Sequence, residues 1–569
     1  MNNNGMVNIV TNKANTYDAI VIGSGMSGGW AAKELTEKGM QTLVLEAGQS
    51  IIPERDYVDH LPVWEVKFRG LRDRKYEQIY QPVQRNIGDE WNSKFFVNDA
   101  DNPYTTTQDS TYMWLRGRHT GGRSVMWGRQ SYRWSEMDFG ANKKDGHGVD
   151  WPVRYKEIEP WYDYVEDFIG VSGQAEGLPQ LPDGKFLPPF EMNCAEVAMK
   201  KAVEAKFPQR RVTIGRTAIL TVDHKGRYAC HQCGPCDHGC ITRSYFSSIN
   251  STLPAAQATG KLTLRHMSVV HSLIFDGKTR RVTGVRIIDA ETRRSMEFHA
   301  RVVFLCASTL ESARILLNSA TTDCPNGLAN SSGEVGHNLM DHIFHAGATG
   351  TMPGFEDHVQ LGNRPNGIYI PRFRNIHDKA PDFVRGYGYQ GRASRESWDR
   401  GADMPGFGVD FKNALRDPGP WNITIGAWGE CLPNHNNFME LNHDKVDAWG
   451  IPTIRVNHIW RENELALFKD AYHTAAETLE AAGAKDIRLS TTPSVPGECI
   501  HEMGSARMGR DPKTSVLNSY NQAHDVANLF ITDGSFMASS ACQNPSLTYM
   551  AMTARACDHA VGLMKKGDL

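Results

Sequence analysis

Four cysteines in the middle of the chain have the spacing of a metal-binding loop. They are Cys230, Cys233, Cys236 and Cys240, in the order C-x2-C-x2-C-x3-C. This order matches the ligand run of bacterial iron–sulfur ferredoxins, although Ile241 stands where those proteins have proline. The spacing therefore predicts an iron–sulfur cluster of the [4Fe-4S] or [3Fe-4S] type. The alternatives are free or disulfide-bonded thiols and structural zinc, whose sites usually separate two cysteine pairs by a longer loop.

A glycine-rich turn near the start of the sequence is the second candidate site. Gly23, Gly25 and Gly28 follow one apolar segment, and Glu46 ends the next. Glycines at this spacing permit a tight turn, the close approach of a pyrophosphate and the packing of a helix on a strand. A carboxylate at Glu46 can accept hydrogen bonds from ribose hydroxyls. We therefore expect a dinucleotide site, with a glycine-rich turn of an unrelated doubly wound fold as the alternative.

The apolar pattern predicts the elements that position this turn. Residues 18–22 and 42–45 are predicted strands, joined by a helix with Trp30, Ala31 and Leu35 on one side. Such a strand, helix and strand unit places the glycines at the carboxyl end of the first strand, where dinucleotides bind.

Later segments predict further elements of both kinds. Short strands are expected between residues 262 and 305, followed by a helix over 310–318 that returns the chain to the first unit. A long amphipathic helix is expected over 462–482, with Gly483 as its stop. Its apolar face is predicted to consist of Leu465, Phe468, Tyr472, Ala475 and Leu479.

Composition bounds the class of protein. A chain of 569 residues is too long for one core and suggests two or more domains. A net charge of −3 gives no reason to expect nucleic acid or an acidic membrane surface as a partner. We expect no transmembrane segment, because no run of about 18 apolar residues occurs. The N-terminus lacks a basic region followed by an apolar stretch, so no secretory signal is expected.

Six sequence blocks together resemble the glucose–methanol–choline (GMC) oxidoreductase family. They occur in the family's order over most of the chain: the N-terminal glycine turn, Gly121-Gly122, the segment 335–342, the segment around His501, Asp533-Gly534-Ser535 and Asn544-Pro545. The resemblance implies an α/β, Rossmann-like FAD-binding domain of the GMC type. It also implies a second, α+β substrate domain built on an antiparallel sheet.

The resemblance also implies a discontinuous division of the chain. Residues 1–150, 226–344 and 495–569 would form the FAD-binding domain, which includes the cysteine loop 230–240. Residues 151–225 and 345–494 would form the substrate-binding domain.

Site residues follow from the matching blocks. By this resemblance, the ADP half of FAD would be held by Gly23, Gly25, Gly28 and Glu46. The flavin would lie along Gly121, Gly122 and Ser124, with its ribityl and pyrimidine parts near Asp533 and Thr548. The catalytic pair would be His501 and Asn544.

Two residues depart from the family's pattern. Met126 stands where some members carry a histidine covalently attached to FAD, so we expect non-covalent FAD. Ser308 stands where relatives often have glycine.

The expected reaction is the oxidation of a secondary alcohol. It requires removal of the hydroxyl proton while the carbon-bound hydrogen leaves as hydride to flavin N5. A neutral imidazole at His501, with a pKa near the working pH, can take the proton. Asn544 can hydrogen-bond the same oxygen and hold the C–H bond at the flavin. His342 and His458 are expected to be mainly structural.

A cysteine loop beside a flavin resembles the large catalytic subunits of bacterial membrane-linked sugar dehydrogenases. In those complexes a small subunit carries a twin-arginine export signal, and a cytochrome c accepts electrons. The resemblance therefore implies a small exported subunit and a cytochrome c or quinone acceptor as partners. With export alongside that subunit, the enzyme is expected in the periplasm, peripheral to the inner membrane. Without such export it is expected in the cytoplasm.

The dense cysteine loop most resembles that of the glucoside 3-dehydrogenases, which oxidise C3 of glucosides and disaccharides. A glucose, fructose or gluconate dehydrogenase of the same group is an alternative, as is an oxygen-using pyranose oxidase with a structural zinc loop. A non-redox role with retained FAD is the third reading. Several tryptophans could stack on sugar rings, although core packing is expected more often for each: Trp398, Trp421, Trp428, Trp449 and Trp460.

Overall fold

The computed structural model describes residues 15–58, 61, 65, 71–87, 90–377, 379–397, 400–401 and 404–569. Its α-helices are α1 (Met26–Glu37), α2 (Pro53–Asp56), α3 (Arg74–Tyr80), α4 (Glu136–Phe139), α5 (Ala141–Asp145), α6 (Tyr155–Ile169), α7 (Cys194–Lys206), α8 (Thr252–Ala258), α9 (Thr309–Leu317), α10 (Gly408–Arg416), α11 (Glu462–Ala481) and α12 (Ser546–Lys566).

Its strands are β1 (Thr16–Ile22), β2 (Thr42–Leu45), β3 (Thr105–Thr106), β4 (Thr213–Ile214), β5 (Leu262–Arg265), β6 (Ser268–Asp276), β7 (Arg281–Asp289), β8 (Ser295–Leu305), β9 (Gly347–Met352), β10 (Ile368–Ile370), β11 (Tyr387–Arg395), β12 (Trp421–Gly429), β13 (Phe438–Val446), β14 (Pro452–Asn457), β15 (Lys485–Ser490) and β16 (Leu529–Ile531). The predicted strands at 18–22 and 42–45 and the helices at 310–318 and 462–482 are confirmed, with ends shifted by at most two residues.

A mixed sheet of seven strands carries the glycine turn. Its order is β5-β2-β1-β8-β7-β6, with β16 pairing with β8. Strand β1 runs parallel to β2 and β8, whereas β6, β7 and β8 pair antiparallel. The parallel strands β1, β2 and β8 therefore end at one edge of the sheet, as in dinucleotide-binding folds.

Residues 19–22 of strand β1 are apolar without interruption because both faces of this part of the strand are covered. Ile20 and Ile22 contribute to one hydrophobic core, whereas Ala19 and Val21 contribute to another. Alternate side chains of a strand point to opposite faces, so a strand with two cores reads as a continuous apolar run.

A second sheet of six strands is antiparallel throughout. Its order is β15-β9-β12-β11-β10-β4, and helix α11 packs against it. Ile423, Ile425 and Ala427 of β12 join the core beneath α11, while the intervening residues lie on the opposite face. The expected antiparallel sheet of the second unit is confirmed.

The prediction for the apolar face of α11 is wrong at one residue. Leu465 is 45% exposed, and Leu467 is 1% exposed and packs in the core. Phe468, Ala475 and Leu479 are buried as predicted. Leu465 and Leu467 lie on opposite sides of Phe468 around the helix, and both are compatible with an apolar face that includes Phe468. The spacing alone therefore did not decide which of the two leucines faces the sheet.

The two larger sheets are formed by different segments of the chain. All strands of the seven-stranded sheet lie in segments 1–150, 226–344 and 495–569, and all strands of the six-stranded sheet lie in 151–225 and 345–494. A three-stranded sheet, β13-β14-β3, combines strands from both sets of segments. The exact domain boundaries stay a prediction. Within the described residues, no helix has the length and hydropathy that crossing a bilayer requires.

Candidate active site and cysteine loop

A deep cleft opens at the edge where β1, β2 and β8 end. Its lining includes the turn 23–27, residues 45–47, 122–124, 126–130 and 306–309, and the catalytic candidates His501 and Asn544 also lie on its wall.

Two glycines of the turn are required by the protein itself. Gly23 has a φ of +95°, and a Cβ on it would lie 2.5 Å from the carbonyl oxygen of Cys306. A Cβ on Gly28 would lie 1.9 Å from the carbonyl oxygen of Gly23. Any larger residue at either position would therefore collide with backbone.

Gly25 is different, because the protein leaves space around it. A Cβ there would meet no atom closer than 3.8 Å, the carbonyl oxygen of Gly121. Gly25 lines the cleft, directly before α1. The missing side chain keeps the start of α1, with its unpaired N–H groups, open to a ligand in the cleft. This geometry suits a pyrophosphate and fits FAD.

Glu46 lies at the end of β2 and faces the same cleft. Its carboxylate accepts hydrogen bonds from the backbone N–H and hydroxyl of Ser24, at 3.2 and 2.5 Å, and from the N–H of Gly48 at 2.9 Å. Burial raises the pKa of Glu46, and these hydrogen bonds oppose that effect. A carboxylate has about four acceptor sites, so Glu46 retains acceptor capacity toward ribose hydroxyls.

The Gly121-Gly122 segment lies against the glycine turn. Gly121 and Gly122 both have positive φ, at +84° and +48°, and the Gly121 N–H donates to the Ser24 hydroxyl at 3.0 Å. The Ser124 hydroxyl donates to the Gly121 carbonyl at 2.6 Å and contacts the Ser248 hydroxyl at 3.0 Å. Gly122 and Ser124 line the cleft, whereas Gly121 and Gly28 lie behind it.

Asp533 and Thr548 occupy different environments. Asp533 lines the cleft and accepts hydrogen bonds from the backbone N–H groups of Ser308 and Ser535, each at 3.0 Å, and burial raises its pKa. Thr548 is fully buried behind the cleft wall, where its hydroxyl contacts the Tyr162 hydroxyl at 2.7 Å.

His501 is held by contacts on both of its ring nitrogens. Nδ1 lies 2.8 Å from Nδ1 of His342 and 3.3 Å from the Cys499 sulfur. Nε2 lies 3.4 Å from the side-chain nitrogen of Asn544. The backbone N–H of His501 donates to Asp341 at 3.1 Å, and burial raises the pKa of that carboxyl to about 7. The ring is therefore fixed in one orientation.

The hydrogen-bond chain also fixes the proton of His501. Nε2 of His342 contacts the carbonyl oxygen of Ala541, which can only accept, so this nitrogen carries the hydrogen. Burial lowers the pKa of His342 to about 4, so its ring is neutral and Nδ1 is an acceptor. Nδ1 of His501 must then donate to His342. This leaves Nε2 of His501 unprotonated and directed at Asn544.

A lone pair at Nε2 is what a proton acceptor needs. Burial, with His342 and Arg123 nearby, holds the pKa of His501 well below its usual value. The predicted pKa near the working pH does not match this environment. The lowered pKa keeps the imidazole neutral with a free lone pair, and it also makes His501 a weaker proton acceptor than a histidine whose pKa lies near the working pH.

Asn544 is oriented from the second sheet. The side-chain N–H of Gln390, on β11, donates to Oδ1 of Asn544 at 2.6 Å. Because Oδ1 is thus occupied as acceptor, the amide nitrogen turns toward His501. The two catalytic candidates therefore both come from the C-terminal segment, and the antiparallel sheet holds one of them.

Sequence reasoning missed three contributors to this site: His342, Cys499 and Gln390. His342 was expected to be structural, yet it contacts His501 directly. The signal for it was its place in the 335–342 block, whereas Gln390 lies in a strand without any motif. His458 is buried without a cleft contact, and burial lowers its pKa to about 3.

The tryptophans divide between core and cleft side. The indole N–H groups of Trp421, Trp449 and Trp460 donate to backbone carbonyls, at 3.1, 3.4 and 2.7 Å. Trp428 is half-buried on the face of β12 opposite the core, stacked on Phe344. Trp398 lies outside the described residues.

The four loop cysteines line one small pocket. Cys230, Cys233, Cys236 and Cys240 all face it, together with Tyr245. Burial raises the pKa of the Cys230 thiol to about 11, and the charges of the other three thiolates add to this effect. Four thiolates can share such a pocket only when a cation compensates their charge, so the donor set fits a bound metal centre. None of the four forms a disulfide.

The fold and cleft define an FAD-dependent oxidoreductase with a Rossmann-like cofactor domain beside an antiparallel substrate sheet. Family models for GMC oxidoreductases match residues 17–344 and 433–553. The chain therefore belongs to the GMC oxidoreductase family, whose members bind FAD and act on CH–OH groups.

Individual relatives cover nearly the full chain. A 2-methyl-1,2-propanediol dehydrogenase of Mycolicibacterium austroafricanum is 29% identical, over 97% of this chain and 96% of the relative. The fructose dehydrogenase large subunit of Gluconobacter japonicus is 26% identical, over 98% and 100%. The crystal structure of pyridoxine 4-oxidase from Mesorbium loti matches with a TM-score of 0.61 at 16% identity, over 95% of this chain and 98% of that one. This likeness supports the fold.

Proposed function

We propose that the protein is a dehydrogenase that oxidises a secondary alcohol of a sugar, at C3 of glucosides or disaccharides, to the 3-keto sugar. His501 takes the hydroxyl proton, and the electrons leave to a protein acceptor rather than to oxygen. A hexose or aldonate dehydrogenase of the same group, acting on glucose C1, fructose or gluconate, is the alternative.

The observation that carries this proposal is the proton arrangement at His501. Its Nε2 is unprotonated, faces the cleft and lies 3.4 Å from the Asn544 amide nitrogen. An alcohol oxygen between these two groups would donate its proton to Nε2 and accept a hydrogen bond from the amide. This arrangement favours the alkoxide that forms as the C–H bond breaks.

FAD, when bound, supplies the two-electron acceptor that takes the hydride at N5. The residues of this chain that would hold it non-covalently are Gly23, Gly25, Gly28 and Glu46 at the ADP half, Gly121, Gly122 and Ser124 along the flavin, and Asp533 and Thr548 near its ribityl and pyrimidine parts. Thr548 would act from behind the cleft wall, through the packing of α12.

The polar face of the second sheet supports a polyhydroxylated substrate. Gln390 pairs with Gly426 across β11 and β12, so Thr424 and Trp428 share its face. These side chains offer an amide, a hydroxyl and an aromatic surface on one face of the sheet, and the amide of Gln390 contacts Asn544. Hydroxyl-rich rings are held by this combination of hydrogen bonds and apolar stacking. The choice of C3 rests on the resemblance of the cysteine loop and is the finer part of the proposal.

The cysteine loop supports a one-electron outlet. An iron–sulfur cluster held by Cys230, Cys233, Cys236 and Cys240 would supply it. Arg129 lines the flavin cleft and donates to the Cys236 carbonyl at 3.5 Å, so one residue spans from cleft to loop. The Tyr245 ring, which lines the cysteine pocket, donates its hydroxyl to the Val125 carbonyl at 2.6 Å.

A small exported subunit and a cytochrome c are the proposed partners, by analogy with a relative named as a large subunit. Periplasmic location by export with that subunit is part of the same proposal.

The test is an anaerobic visible and EPR spectrum of the purified protein before and after addition of a methyl glucoside. Flavin bleaching with a reducible iron–sulfur signal is expected, and product analysis then distinguishes C3 from C1 oxidation. A flavin-only spectrum with stoichiometric zinc and peroxide formation in air would contradict the outlet and support an oxidase with a structural zinc loop.

A further inference from the structure

Three metal-binding side chains meet on the side of His501 that faces away from Asn544. Nδ1 of His501, a ring nitrogen of His342 and the sulfur of Cys499 all lie within 4.8 Å of one another. The two Nδ1 atoms are 2.8 Å apart, and the sulfur is 3.3 Å from Nδ1 of His501. None of the three residues is among those proposed to hold FAD or the cysteine-loop cluster.

The donor set suits a soft or borderline divalent ion. Imidazole nitrogen and thiolate sulfur are the ligands that Zn²⁺ prefers. A tetrahedral zinc ion, with bonds of about 2.0–2.1 Å to nitrogen and 2.3 Å to sulfur, holds these atoms roughly 3.3 to 3.6 Å apart. The 2.8 Å between the two Nδ1 atoms and the 3.3 Å from the sulfur to Nδ1 of His501 need to open by about half an ångström or less, and the sulfur already lies within 4.8 Å of a His342 nitrogen.

His342 already has the orientation of a metal ligand. Its Nε2 donates to the carbonyl oxygen of Ala541, which leaves the Nδ1 lone pair directed at the cluster. Metal-bound histidines commonly use the second ring nitrogen to donate to a carbonyl in this way.

An ion can reach the cluster through the substrate cleft, because Cys499 and His501 both line it. The fourth position of a tetrahedral ion would then be open to a water molecule from the cleft.

We propose that His342, Cys499 and His501 form an inhibitory site for Zn²⁺ that switches off the base from behind. On binding, Cys499 loses its thiol proton to solvent, and three bonds form from the metal to two nitrogens and one sulfur. The proton on Nδ1 of His501 moves to Nε2, because a neutral imidazole bound through one nitrogen carries its hydrogen on the other. Nε2 then donates instead of accepting, and the alcohol proton has no acceptor.

The inhibition rests on the proposed role of His501 as base, whereas the metal binding does not. The experiment therefore has two readouts on the holoenzyme. The first is the rate with a methyl glucoside and a dye acceptor during titration with ZnCl₂ and reversal with a chelator. The second is an anomalous difference map at the zinc edge from crystals soaked in ZnCl₂.

Cys499→Ser is the test variant, and Cys324→Ser, at a half-buried thiol outside the cleft, is the matched control. Each variant is compared with its own zinc-free rate. We expect reversible inhibition of the wild type and the control, an anomalous peak between the three side chains, and at least a tenfold higher half-inhibiting zinc concentration for Cys499→Ser.

Equal inhibition of Cys499→Ser and wild type, or a peak absent from the cluster, would overturn the proposal. A peak at the cluster with an unchanged rate would also overturn the inhibition, and it would in addition contradict His501 as the base. The failure of the metal site and the failure of the proposed mechanism are thus distinguishable.

Discussion

His501 has each ring nitrogen in a different environment, and this difference defines its chemistry. Nδ1 faces His342 and Cys499 inside the protein, and Nε2 faces Asn544 in the cleft. The Ala541 carbonyl decides, through His342, which nitrogen carries the proton. A backbone oxygen two hydrogen bonds away therefore decides which nitrogen of the proposed base can accept a proton.

Replacing His501 tests this assignment. His501→Gln keeps a polar side chain of similar reach but has no nitrogen that can take a proton. We expect flavin reduction by substrate to slow by about 10²–10⁴-fold, the range found for general base catalysis. Anaerobic stopped-flow absorbance measures the rate, and an unchanged flavin spectrum shows that the cofactor is still bound. A rate within threefold of wild type would assign proton abstraction to another group.

Ser308 shows how a single residue can store strain in the cleft wall. It has φ +88° and ψ 161°, a region that is essentially restricted to glycine, and its N–H donates to Asp533. The departure noticed in the sequence is therefore a backbone conformation that serine tolerates poorly.

Ser308→Gly should relieve this strain. We expect the free energy of unfolding to rise by about 1 kcal/mol or more, because non-glycine residues in this region cost about 1–3 kcal/mol. Ser308→Ala, which loses the hydroxyl but keeps the Cβ, should show no such gain. Chemical denaturation of both variants measures the difference. Equal stability of the glycine and alanine variants would exclude backbone strain as the cause.

At the scale of elements, α11 holds the antiparallel sheet above the cleft. Its buried side packs on β9 and β12, and Gln390 on the neighbouring strand β11 holds Asn544. The position of this helix therefore affects the orientation of a catalytic side chain without any direct contact with substrate.

Leu465 and Leu467 of α11 give a matched pair of substitutions. Leu467→Ala should reduce the free energy of unfolding by about 2–5 kcal/mol, because a buried leucine leaves a cavity. Leu465→Ala should change it by less than about 0.5 kcal/mol, since that side chain is exposed. Urea unfolding of the two variants is the measurement. A larger loss in the free energy of unfolding for Leu465→Ala than for Leu467→Ala would support the helix face predicted from the sequence.

A substitution in the glycine turn at residues 23–28 can separate an effect on folding from an effect on FAD binding. Gly25→Ala meets no protein atom within 3.8 Å, so the fold should be retained while the methyl group intrudes on the pyrophosphate position. We expect FAD affinity to fall at least tenfold, measured by fluorescence titration of the deflavinated protein. Secondary structure by circular dichroism is the control, and undiminished FAD affinity would place the pyrophosphate elsewhere.

At the scale of the whole molecule, the flavin cleft and the cysteine loop are separated by a thin layer of protein. Arg129 reaches from one to the other, and Tyr245 links the loop to the segment that lines the cleft. Under the proposed function, the cleft would bind the alcohol and the cysteine loop would pass the electrons on.

Cys233→Ser should separate reduction of the flavin by substrate from electron transfer to cytochrome c. Cys233 is chosen because it is the most exposed of the four loop cysteines. Substrate should still bleach the flavin at a rate within about threefold of wild type. Reduction of cytochrome c should fall at least tenfold, and the EPR signal of the cluster should be lost or changed. Retained cytochrome reduction without a cluster signal would mean that electrons leave from the flavin directly.

The sequence by itself determined the local units. The alternation of apolar residues and the glycine spacing predicted β1, α1 and β2, since these depend on neighbours in the chain. The C-x2-C-x2-C-x3-C order likewise brought four sulfurs to one pocket, because eleven residues cannot separate them far. The family resemblance correctly implied the FAD fold and the antiparallel sheet.

Only the tertiary structure decided which distant residues meet. His342, His501 and Ala541 are separated by up to 199 positions, and nothing in their local sequence states that they form one proton chain. The same holds for Gln390, which acts on Asn544 across 154 positions, and for Leu467, whose burial depends on a sheet formed elsewhere in the chain. Local patterns encode secondary structure, whereas protonation states and catalytic geometry arise from contacts between segments that folding brings together.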